Sequence, residues 1–210
     1  MSPLPTRMIN RWQNRKEPGP GQGTLYWHML VGDQPEARKA ARIARERLAA
    51  FSGLHMPPLE WLHITTLVVG PTDKITTEQQ QDMLTTASAL LAKVPPISVT
   101  VDRLFYHPEA IALAIRPTEH LEQVREAIQT ATLEATGRQD HTEGTSRWVP
   151  HATLIYSEAE QPAEPIISAL GREIPSCAVT IDAVTLVDQR GPERLWDWHP
   201  IGRAQLLGRH

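Results

Sequence analysis

The stretches Trp61-Leu62-His63-Ile64-Thr65 and Trp148-Val149-Pro150-His151-Ala152-Thr153-Leu154 decide how this chain is read. Each sets a histidine and a threonine two positions apart within an apolar run. In a strand, residues i and i+2 point the same way. His63 therefore projects with Thr65, and His151 with Thr153. The opposite face is read as Leu62, Ile64 and Val68 in one strand, and as Trp148, Ala152, Leu154 and Tyr156 in the other, packed on helices. His-x-Thr alone is a weak signal, because 9 histidines in this composition give roughly one match by chance. Its weight comes from the surrounding order of elements.

Working outward, strands are expected at residues 25–31, 61–69 and 97–105. Helices intervene, one from an Asp33 N-cap with Glu36 as its capping-box partner to about Gly53, and one from Thr76 with Gln79 to about Lys93. The order then recurs: strand 110–116, helix 118–136 stopped by Gly137, strand 148–156, helix 163–170 stopped by Gly171, and strand 177–187. Edge strands are expected near 195–198 and 204–207. The third strands of the two series also match, Val99-Thr100-Val101-Asp102 against Val179-Thr180-Ile181-Asp182. Offsets of 88 residues for the histidine strands and 80 for these differ only by loop lengths. The expectation is an α+β, bilobal fold of two β-α-β-α-β units, about 24–106 and 109–190. Two antiparallel sheets face a central groove, with the helices outside.

The chain has 210 residues, 40% of them apolar and 21% charged, as in ordinary globular proteins. Its formal net charge of −3 gives no overall basic field for nucleic acid. One cysteine, Cys177, excludes an internal disulfide framework and a cysteine-rich metal site. No apolar run reaches the roughly 20 residues of a membrane span, and a cytoplasmic location is expected. Residues 1–23 stand apart. Arg7, Arg11, Arg15 and Lys16 surround Trp12, and Pro18-Gly19-Pro20-Gly21 breaks regular structure. This composition favours a solvated arm; the alternative is an ordered strap that carries basic groups to a phosphate-binding groove.

The paired motifs, their spacing and the duplicated lobes resemble the two-histidine phosphoesterase superfamily, in the branch of 2′-5′ RNA ligases and cyclic phosphodiesterases. Tyr26-Trp27-His28, with the two stretches quoted above, looks like its actinobacterial members. The resemblance covers about residues 24–208. It implies the bilobal fold, an active site that needs no metal or other cofactor, and roles for His63, Thr65, His151 and Thr153. Thr66 makes the first motif His-x-Thr-Thr, with its own side chain expected in the core.

The chemistry suits these residue types. Opening a 2′,3′-cyclic phosphate needs a base for water and an acid for the departing ribose oxygen. Imidazole titrates near neutrality, so one neutral and one protonated histidine coexist at working pH. In-line displacement sets attacker and leaving group on opposite sides of phosphorus, and histidines on opposed lobes supply that placement. Threonine hydroxyls donate to the non-bridging oxygens. The same arrangement run backwards would join a hydroxyl to a cyclic phosphate.

Further residues belong to the expected groove. Tyr26 and His28 alternate with Leu25, Trp27 and Met29, so Tyr26 is read as stacking on a base and His28 as binding a phosphate or hydroxyl. Arg116 and Arg147 are candidates for bidentate phosphate contacts. Asp102 and Asp182 repeat symmetrically and receive no catalytic role. His107, His120 and His141 have acidic neighbours but no metal-ligand spacing, and no glycine-rich phosphate loop follows a strand. The expected partner is an RNA end or a nucleotide-like molecule with a cyclic phosphate or a 2′-5′ linkage, met by a monomer. The rival readings are a non-catalytic RNA- or nucleotide-binding module and an enzyme of small-molecule metabolism.

Overall fold

The computed structural model describes residues 4–13, 15–19, 21–138 and 148–209. Among these residues eleven strands and four α-helices follow one another. A short strand β1 (Arg7–Met8) precedes β2 (Gly23–Leu30), α1 (Pro35–Arg47), the short β3 (Leu54–His55), β4 (His63–Pro71), α2 (Thr77–Leu91) and β5 (Ile97–His107). The second series runs through β6 (Ala110–Arg116), α3 (Glu119–Thr136), β7 (His151–Ser157), the short β8 (Gln161–Pro162), α4 (Glu164–Leu170) and β9 (Glu173–Ile181). It ends with β10 (Ala183–Arg190) and β11 (Asp197–Gln205).

Local signals account for most boundaries. The capping box of α2 forms as expected: Gln79 N–H donates to Thr76 Oγ1 (3.1 Å) and Thr76 N–H to Gln79 Oε1 (3.0 Å). Gly137 ends α3 in the left-handed conformation, φ 65°, which costs glycine nothing. The start of α1 departs from expectation. Its N-cap is Gln34 rather than Asp33, with no side-chain cap, and the helix stops at Arg47, short of Gly53. Pro35 sets that start, since its fixed φ and missing N–H suit the first helical turn. The expected strand 177–187 is two strands that part at Asp182, and one strand, β11, replaces the two expected edge pieces.

The strands form two antiparallel halves, β11-β10-β2-β4 and β7-β6-β5-β9. They meet where β4 lies beside β7, through the single pair Ile64↔Ala152. The duplication read from sequence is visible in the register. Ile64 and Ala152 are equivalent positions, as are Val99 and Val179, and each residue lies opposite its own equivalent. An approximate two-fold axis thus passes through both pairs. The helices cover one side of the sheet: Ala37, Ala40, Ala41 and Ala44 of α1, Met83 and Leu91 of α2, and Leu121, Val124 and Ile128 of α3 are all buried there. Trp27 points into this core and donates its indole N–H to Thr132 Oγ1 of α3 (3.2 Å). The other side of the sheet is left for the groove.

A matched irregularity interrupts both histidine strands. His28 pairs with Thr65 but Trp27 with Leu67, leaving Thr66 as an extra residue. In the second half Ala112 pairs with Thr153 but Ile111 with Ile155, leaving Leu154 extra. A bulge of this kind resets the alternation of faces. Beyond it Val68 and Tyr156 turn into the groove, whereas strict alternation had assigned both to the helix side. Thr66 is fully buried, as expected.

The N-terminal segment is an ordered strap rather than a solvated arm. β1 pairs with β8, Met8 is fully buried, and Trp12 is 8% exposed in an aromatic cluster with Tyr156, Trp196 and Trp198. Backbone bonds from Ile9 N–H to Pro108 O, Arg11 N–H to Ser157 O and Ala163 N–H to Thr6 O lay it along the body.

Candidate active site

His63 opens β4 and His151 opens β7, so the two-fold relationship brings both to one cavity of about 670 Å³ on the open side of the sheet. Both rings are held the same way. His63 Nδ1 lies 2.7 Å from Trp61 O, and His151 Nδ1 lies 2.7 Å from Val149 O. A carbonyl only accepts, so each Nδ1 carries its proton and donates it. Each Nε2 is thereby left for chemistry in the cavity. Thr65 and Thr153, two residues on, line the same cavity.

The environments of the two histidines differ. His63 is 7% exposed, and its ring lies 4.4 Å from that of His28 and 4.7 Å from that of Trp198. Desolvation by this wall pushes its pKa down to about 4, against the smaller opposing pull of the hydrogen bond to Trp61 O. His151 is exposed, with Phe105 at 6.1 Å between ring centroids. The asymmetry comes from sequence at equivalent positions. Tyr26 and His28 of β2 correspond, through their pairing with Val68 and Thr65, to Ala110 and Ala112 of β6. Aromatic rings fill one side of the cavity and methyl groups the other.

Of the further residues singled out in the sequence, Tyr26 and His28 do line the cavity. Tyr26 stacks on His28 (5.1 Å, 13°), and His28 stacks in turn on Trp198 (4.8 Å, 13°). One Tyr26 face is thus occupied by a protein ring. Both His28 ring nitrogens are buried with no hydrogen-bond partner among the described residues, and burial, with the adjacent His63, lowers its pKa well below 6.5. Arg116 does not reach the groove. It is exposed and pairs with Asp102 on the neighbouring strand, while Asp182, equivalent to Asp102, pairs likewise with Arg203 (2.7 Å). The strand-end aspartates thus engage surface arginines, which corrects the phosphate-binding expectation for Arg116. Arg147 and His141 lie outside the described residues.

Other groups enter the cavity from places that periodicity did not mark. Arg11 and Arg15 come from the strap, Glu109 from the β5–β6 turn, Glu193 from the turn before β11, and Phe105, His107 and Trp198 from the walls. Trp148 also lines the cavity, where alternation put it on the helix side, because it precedes β7, which starts at His151. Arg11 grips Glu193 with two bonds (2.7 and 2.8 Å) and lies over the Tyr156 ring at 4.4 Å. Burial alone would raise the Glu193 carboxyl; the Arg11 hydrogen bond and charge outweigh it, and the net direction is down. The basic cluster around Trp12 was the one sequence signal for the strap. Glu193 and Trp198 had none, because their approach depends on the β10–β11 turn. Among the described residues no group of three His, Cys, Asp or Glu is placed to hold a metal ion.

The fold has solved counterparts. TT0787 of Thermus thermophilus superposes with a TM-score of 0.70 at 19% identity, over 89% of this chain and 100% of that one. LigT of E. coli complexed with 3′-AMP gives 0.65 at 17% identity over 91% and 99%, and the same protein complexed with NADP+ gives 0.65 at 15% over 89% and 99%. At such identities the likeness is one of fold. A search of curated proteins finds no match. The family model of the 2′-5′ RNA ligase superfamily matches residues 34–193, a span that contains both histidine motifs and both bulges. With that match over most of its length, and with the bilobal architecture of two-histidine phosphoesterases around the motifs, the chain belongs to the 2′-5′ RNA ligase superfamily.

Proposed function

We propose that the protein is a phosphodiesterase that opens 2′,3′-cyclic phosphates on nucleotides or RNA ends, and that makes or breaks 2′-5′ linkages by the same chemistry. The observation that carries this reading is the matched pair of imidazoles, each with Nδ1–H tied to a main-chain carbonyl and Nε2 left for the cavity. Water attacks phosphorus, His63 Nε2 takes its proton, the P–O bond to one ribose oxygen breaks, and His151 Nε2–H protonates that oxygen. No metal or other cofactor enters these steps.

The assignment of base and acid follows from burial. A histidine held neutral by its surroundings is not protonated at neutral pH and cannot begin as the acid. A bound phosphate anion raises its basicity as the reaction proceeds. His151, on the opposite half and exposed, serves as the acid. Thr65 and Thr153 hold the non-bridging oxygens. His28, stacked between Tyr26 and Trp198 with both ring nitrogens buried, forms the wall beside His63, and a hydrogen bond from it to ribose or phosphate requires those rings to shift. With one Tyr26 face taken by His28, Phe105 beside His151 provides a second surface for a base.

The test is turnover of a nucleoside 2′,3′-cyclic phosphate and of a 2′-5′ dinucleotide in EDTA, with products separated by chromatography. Monophosphate formation that survives chelation supports the reading. Tight binding of either compound without turnover would sink it in favour of a binding module.

A further inference from the structure

The strap lies before residue 34, outside the span matched by the family model, yet two of its side chains line the reaction cavity. Arg11 touches Glu193 of the half that contains β4 and also Glu109 (3.5 Å) of the half that contains β7. Its main-chain N–H meets Ser157 O. His151 opens β7 and Ser157 closes it, so the strap lies at the other end of that strand, on the His63 side of the cavity. Arg11 covers the Tyr156 ring (4.4 Å), and the Trp196 ring lies 6.2 Å from that of Tyr156 and 6.4 Å from that of His63. The strap therefore crosses from one half to the other beside His63.

The two arginines are not alike. Arg11 is 18% exposed in its side chain and held by Glu193 and the Tyr156 ring, so it anchors the strap. Arg15 is 48% exposed, and its guanidinium meets the same Glu109 Oε2 that Arg11 touches. A carboxylate oxygen divided between two guanidiniums at a solvent-facing site is readily exchanged for a phosphate, which takes a guanidinium in a bidentate grip.

We propose that this end of the groove is a second anion subsite, with Arg15 as the specificity-determining residue for substrates that carry a further phosphate besides the one undergoing reaction. The inference rests on the phosphodiesterase reading above. The further phosphate is the 5′-phosphate of a mononucleotide or the next phosphodiester of a short RNA end; the chemistry recognised is the same.

The experiment uses the full chain and its Arg15→Gln variant on three substrates. These are a nucleoside 2′,3′-cyclic phosphate with a free 5′-hydroxyl, the same molecule with a 5′-phosphate, and a dinucleotide ending in a cyclic phosphate. In the wild type, kcat/KM for at least one phosphate-bearing substrate should exceed that for the plain one by about 10-fold or more, as a charge-assisted bond allows. Which one gains identifies the source of the phosphate. In Arg15→Gln that ratio should fall to about 1, chiefly through KM. A wild-type ratio of about 1, or a ratio that survives the substitution, overturns the subsite while leaving the phosphodiesterase reading intact. Loss of turnover on all three substrates would instead strike the reading itself. Calorimetry then still decides on the subsite: nucleoside 3′,5′-bisphosphate should bind more tightly than 3′-monophosphate to the wild type, and not to Arg15→Gln.

Discussion

His63 shows how a residue's neighbours set its task. Four rings crowd it, those of His28, Trp61, Trp196 and Trp198 either directly or through Trp198, and the desolvated imidazole stays neutral down to about pH 4. The acid limb of kcat/KM, which reports the base of the free enzyme, should fall near pH 4 rather than near the ordinary 6.5. Trp198→Ala lets water reach the ring and should move that limb upward; a pH–rate profile of the variant checks this. His63→Ala and His151→Ala should each lower kcat by about 10²–10⁴-fold. Thr65→Val and Thr153→Val should each cost about 10²-fold, as loss of an oxyanion donor does elsewhere.

At the scale of elements, the sequence was most legible where one local rule acts alone. The Thr76–Gln79 capping box, the stop at Gly137 and the strand 110–116 stand where expected. The paired histidines were legible for the same reason, since i, i+2 geometry needs no tertiary information. The bulges at Thr66 and Leu154 were not, because nothing local marks an extra residue, and their effect on Val68 and Tyr156 appears only against the partner strand. The strap was half legible: its basic and aromatic residues were plain, but its docking depends on Trp12 meeting rings from β7 and from residues 196–198. That docking makes a stability prediction. Trp12→Ala should destabilise the fold by about 3 kcal/mol, as large-to-small changes at buried aromatics do. Arg7→Ala, which removes an exposed pair with Glu160, should cost about 0.5 kcal/mol or less. Urea denaturation of the two variants distinguishes the anchored strap from a loosely held one.

For the whole molecule, duplication supplies the groove and departure from symmetry supplies the chemistry. Strict two-fold identity would give two histidines of one character; Tyr26 and His28 against Ala110 and Ala112 give one dry and one wet. This arrangement carries a cost that pH should reveal. His63 titrates near 4 in the folded state and near 6.5 unfolded, so between those values the unfolded chain binds more protons. Stability from this group is full above about pH 6.5 and is lost as pH falls toward 4, on the order of 3 kcal/mol. His28, also lowered, acts in the same direction. Glu193, whose carboxyl is lowered from 4.5, acts only at more acid pH. Urea midpoints measured from pH 7 to pH 4.5 should fall steadily, and the slope should flatten in His63→Asn.

The central claim is that His63 and His151 form an acid–base pair with His63 as the base. Its most direct test is kcat/KM for a nucleoside 2′,3′-cyclic phosphate from pH 3.5 to 9, in the wild type beside His63→Ala and His151→Ala. The account predicts a bell with its acid limb near pH 4 in the wild type and collapse of turnover in both variants. A wild-type acid limb at pH 6.5, or a variant that keeps wild-type turnover, would contradict it.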